Sequence, residues 1–164
     1  MAKAGGLYEE DFVRWTEEQS AALRRTKVLT SGAEGGNQPL DWDNLAEEIE
    51  SLGKSQRNEL RSRIRRILRH LFKLEASPAT EPRAGWCATI DEARAAIEDV
   101  LRDSPSLRRE CEGVIKKQIA AAARLATDDL RQHGEAAEVV AARLSQTEYA
   151  VEQVLGDWFP EERA

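Results

Sequence analysis

Few side chains in this sequence are placed to do chemistry. His70 is the one histidine inside a helical pattern, at the edge of an apolar stripe, where an imidazole can be half-buried. Glu48 and Glu50 flank the same stripe one segment earlier. Brought together, such groups would make a general acid–base pair or a metal site near His70. The spacing opposes it: residue 67, three before His70, is Ile, and residue 130, three before His133, is Leu, so no Glu-x-x-His pair exists. Glu48 and His70 stand 22 positions apart, about 33 Å of straight helix, and meet only if the chain folds back at Gly53. A structural His70 bonded to a backbone or carboxylate group is the simpler reading, and His133 beside Gly134 reads as a helix-end cation. No metal or cofactor is expected. Cys87 and Cys111 have no metal-ligand spacing, and no GxGxxG, GxxxxGK[ST], GxSxG or HExxH occurs.

A second candidate is electrostatic. Residues 1–53 carry 5 basic and 11 acidic side chains, residues 54–75 carry 8 and 2, and residues 76–164 carry 11 and 17. The net charge of −6 therefore hides a basic segment between two acidic ones. Within it Arg57, Arg61, Arg65, Arg69 and Lys73 stand four apart, a ladder of like charges that repel on one helix flank. Either acids of the same chain face them, Glu10, Glu17, Glu18 or groups of the last third, or an external polyanion such as nucleic acid does. An overall acidic balance disfavours nucleic acid.

The elements that must position these residues are helical. Ala and Leu dominate an apolar content of 41%, and Gly and Pro number only 10 and 5. A first helix is expected over about 8–27, buried along Tyr8, Phe12, Trp15, Gln19, Leu23 and Thr26. The glycine-rich stretch 31–39 is a loop, and Asp41 caps the next helix. Over about 42–75, Trp42, Leu45, Ile49 and Leu52 share a face, and Leu60, Ile64, Ile67, Leu71 and Leu74 continue it. Gly53 leaves two possibilities, a helix bent there or one long helix. After a loop at 76–82, helices are expected over 83–101 and from Ser104-Pro105 to His133-Gly134, then over 135–144 and 147–155. Ala120 to Ala123 make a thin wall that lets a neighbour approach. Trp15, Trp42, Trp86 and Trp158 read as docking anchors. The expectation is one all-α domain over 1–164, a bundle of five to seven helices, with residues 1–6 disordered.

The runs Leu7-Tyr8-Glu9-Glu10-Asp11-Phe12, Asp41 to Gly53, His70-Leu71-Phe72-Lys73-Leu74, Asp103-Ser104-Pro105-Ser106-Leu107 and Val151 to Pro160 resemble a bacterial family catalogued as domain of unknown function 29. The resemblance spans nearly the whole chain and is weakest after His133. It implies a small all-helical protein and carries no established activity. No stretch has the length of a signal peptide or membrane span, so a cytoplasmic protein without membrane contact is expected. The leading reading is a non-catalytic module that binds a protein partner or its own second copy.

Overall fold

The computed structural model describes residues 6–30, 40–135, 142 and 147–161. It is all-α, and no strand occurs among the described residues. Among the described residues six α-helices follow in order: α1 (Gly6–Glu10), α2 (Phe12–Thr30), α3 (Trp42–Ala76), α4 (Arg83–Asp103), α5 (Cys111–Gln132) and α6 (Val151–Leu155), with a 3-10 helix at Pro105–Glu110 before α5. The chain forms two compact units, one of residues 1–59 and 100–108, the other of residues 60–99 and 109–164.

In the first unit, the expected helix over 8–27 is interrupted at Asp11. Asp11 leaves the helix to use its side chain. Its carboxylate accepts the Arg14 N–H at 3.0 Å, capping α2, and takes both the N–H and the hydroxyl of Ser106, at 2.7 and 3.0 Å. The Val13 N–H, another first-turn donor with no helical acceptor, donates to the Ser104 hydroxyl at 3.2 Å. Ser104 therefore serves α2, and the segment it opens begins as a 3-10 turn where an α-helix was expected. The buried face of α2 is Val13, Thr16 and Ser20, while Phe12, Trp15, Gln19, Leu23 and Thr26 are half-buried and Tyr8 is exposed. Small side chains win that face because α3 lies close. Gly53 is buried against the Thr16 hydroxyl and leaves no room for a β-carbon. Here glycine permits contact and does not stop the helix, so α3 runs unbroken from Trp42 to Ala76.

In the second unit the α3 stripe is sealed: Leu60, Ile64, Ile67, Leu71, Phe72 and Leu74 are buried, with Ile90 and Ile97 of α4 and Ile115, Ala122, Ala126 and Leu130 of α5. Of the Ala120–Ala123 run, Ala122 alone is buried and Ala120 is exposed; Ala126, one turn on, completes the thin wall. Helix α5 ends as its sequence indicates. Gly134 adopts φ 84, the Gly134 N–H reaches Arg131 O at 3.0 Å and the Glu135 N–H reaches Leu130 O at 3.0 Å, a Schellman motif. The helix expected over 135–144 lies almost wholly outside the described residues. That expected over 147–155 is shortened to α6.

Arg94, 6% exposed, holds the chain end of this unit. Its guanidinium donates to the carbonyls of Val154 at 3.0 Å, Gln153 at 2.9 Å and Trp158 at 2.7 Å, and lies 4.8 Å from the Phe159 ring centre. These are the last carbonyls of α6 and the turn beyond it, which have no helical donors of their own. Trp158 reaches Tyr149, whose ring meets Phe72 at 5.2 Å. Neither Cys87 nor Cys111 is in a disulfide.

Candidate functional site

The rungs of the basic ladder differ in exposure and in partners. Arg57 donates to Glu17 at 2.6 Å in the first unit. Arg61 is exposed and Arg65 half-buried. In the second unit Arg69 grips Asp129 with a two-pronged fork, Nε to Oδ2 at 2.7 Å and Nη2 to Oδ1 at 2.5 Å. Lys73 reaches the same carboxylate at 3.4 Å.

The acid–base candidates are not assembled. Glu50 pairs with Arg24 at 2.5 Å and Lys54 at 2.9 Å, which hold its carboxyl down at about 2, Lys54 more strongly than Arg24. It is a fixed anion at neutral pH. Glu48, in the first unit, is exposed. His70 is half-buried, but its Nδ1 is buried with no hydrogen-bond partner, contrary to the expected backbone or carboxylate bond. The carboxylate in range, Asp129, is already held by the Arg69 fork. Burial, then the charges of Lys73 and Arg69, push the His70 pKa down to about 4. His133 behaves as its position implies, donating from Nδ1 to the Asp129 carbonyl at 2.8 Å at the end of α5. Among the described residues no group of three His, Cys, Asp or Glu side chains is placed to hold a metal ion.

Two other features emerge. The first is an open cleft of about 810 Å³ in the second unit, lined by Lys73, Trp86, Asp129, Leu130, His133 and Glu135 together with the segment Ala79 to Pro82. Lys73 is 9% exposed, with its ammonium 4.7 Å from the Trp86 ring centre. Burial lowers its pKa against the opposing pull of Asp129. Ser77, which follows α3, donates to the lining carboxylate of Glu135 at 2.5 Å. Helix spacing places Lys73 in the ladder and Trp86 in the core, and singles out neither as part of a cleft. The available signal is local: Lys73 is the one charge within the apolar run Leu71-Phe72-Lys73-Leu74. Asp129, 56 residues on, has no such mark.

The second feature is an apolar edge in the first unit. Leu45 and Leu52 are 41% and 48% exposed, Ile49 between them is half-buried, and Leu40, Val28 and Leu29 are also exposed. The Lys27–Asp43 ion pair fastens the end of α2 beside the start of α3, next to these residues.

No helix among the described residues is long and apolar enough to cross a membrane. No curated protein matches the chain. Among solved structures, an α-helical protein of unknown function from Rhodospirillum rubrum is similar in fold, with a TM-score of 0.69 and 23% identity over 93% of this chain and 91% of that one. The family described as Domain of unknown function DUF29 matches over residues 7–159, and the chain belongs to that family.

Proposed function

We propose that the protein is a non-catalytic helical module that acts by protein–protein contact, its partner being a second copy of itself bound along the outer edge of α3. The observation that carries this reading is the open apolar edge at Leu45, Ile49 and Leu52. These residues follow the 4-3 spacing of a coiled-coil seam, and Gln56 takes the next seam position. The helix turns its smaller residues, Ala46 and Gly53, inward, so the larger ones remain outside. In an antiparallel pair centred on Leu52, Glu48 would face Ser55 and Gln56 of the second copy, and no like charges would meet.

Polyanion binding through residues 54–73 draws less support, because Arg57, Arg69 and Lys73 already face acids of the chain. Sedimentation velocity over a concentration series tests the proposal. Dimer is expected for the natural chain and monomer for Leu45→Asp/Leu52→Asp at unchanged helix content. A natural chain monomeric at about 100 µM contradicts it, since a functional dimer of micromolar affinity would be mostly paired there.

A further inference from the structure

Lys73 is a buried cation short of acceptors. An ammonium offers three donors, and here one makes a long 3.4 Å contact to Asp129 while the charge rests over Trp86. The Asp129 carboxylate is already committed to both prongs of Arg69. Arg69, Lys73 and Asp129 together leave one positive charge in excess at Lys73, within a lining that also carries the carboxylates of Glu81 and Glu135. Beside it lie the apolar surfaces of Trp86, Pro82, Leu130 and Ala79. A cleft of about 810 Å³ falls within the range of small-molecule sites, about 300–1,000 Å³.

We propose that this cleft binds a small organic monocarboxylate with an aromatic or aliphatic body, its carboxylate on the Lys73 ammonium and its body against Trp86, Pro82 and Leu130. The lining sets the charge limit. Glu81 and Glu135 oppose any anion and weigh about twice as heavily against a dianion such as a phosphate ester as against a monocarboxylate, while Lys73 itself repels an amine. The inference uses none of the residues of the α3 edge and does not depend on self-association.

Phenylacetate is the test ligand, titrated into the full chain while the indole N–H signals of the four tryptophans are followed by NMR, with Trp86→Phe assigning one of them. Saturable movement of the Trp86 signal is expected. Phenylacetamide, phenethylamine and phenyl phosphate should each bind about ten-fold more weakly or worse, the loss expected when a charge-assisted bond is removed or reversed. Lys73→Met should lose a similar factor. Equal binding of the amide, preference for the amine or the phosphate ester, or no saturation up to about 10 mM overturns the proposal. Should Lys73→Met lose its helical circular dichroism, the ligand series on the natural chain decides alone.

Discussion

Gly53 and Thr16 touch where α3 meets α2: a β-carbon at position 53 would overlap the Thr16 hydroxyl, which itself is held by a 2.7 Å bond to the Val13 carbonyl. The contact predicts that Gly53→Ala destabilises the protein even though alanine favours helix by about 1 kcal/mol. Overpacking costs about 1–3 kcal/mol, so a net loss of up to about 2 kcal/mol is expected by urea denaturation. Adding Thr16→Ala should recover most of it, and simple additivity of the two substitutions would disprove the contact.

That contact shows where sequence reading stops. The apolar phase of α3 is legible from Leu60 to Leu74, where those residues are buried, but from Trp42 to Leu52 the face is misread, because Ala46 and Gly53 turn inward and leave Leu45 and Leu52 exposed; the helix end at Gly134 and the all-α class are legible too. Whether Gly53 stops a helix or admits a neighbour depends on Thr16, 37 positions away, and no local pattern carries that. Asp11 reads as one residue of a helix, because its use as a cap depends on Ser106. In the same way Lys73 reads as the last rung of a ladder. Only the fold brings Asp129 and Trp86 to it and makes a cleft.

Removing the Asp11 carboxylate should be costly. It is 8% exposed and accepts three hydrogen bonds, two of them from Ser106. Asp11→Ala leaves these donors without an acceptor and is expected to lose about 2–4 kcal/mol, whereas Arg14→Ala on the exposed side of α2 should stay within about 0.5 kcal/mol. Thermal melts of the two variants compare them directly.

The Arg94 clamp predicts local release. Arg94→Met removes the donors of the Val154, Gln153 and Trp158 carbonyls. Amide exchange should accelerate by about ten-fold or more over residues 151–158, and Trp158 fluorescence should move to the red. Unchanged exchange there would mean that α6 is held by its apolar contacts alone.

His70 ties stability to pH. Folding holds its pKa at about 4, below the ordinary 6.5, so between these values the unfolded chain takes up a proton that the folded chain does not. This contribution is fully present above about pH 6.5 and declines as pH falls toward 4. Solvent at the open edge of the ring screens the effect, leaving an expected loss of about 1–2 kcal/mol. His70→Phe should remove that part of the slope between pH 6.5 and 4.5, measured by urea denaturation at each pH.

Pairing along the α3 edge is tested most directly by oxidative cross-linking at position 52, in a Cys87→Ser background. An antiparallel pair centred there sets the residue against its own copy, within the few ångströms that a disulfide requires. Leu52→Cys is expected to give a covalent dimer rapidly under mild oxidation, and Lys54→Cys, on the opposite side of the helix, to remain monomeric. Equal and slow cross-linking of both would contradict a specific α3 interface.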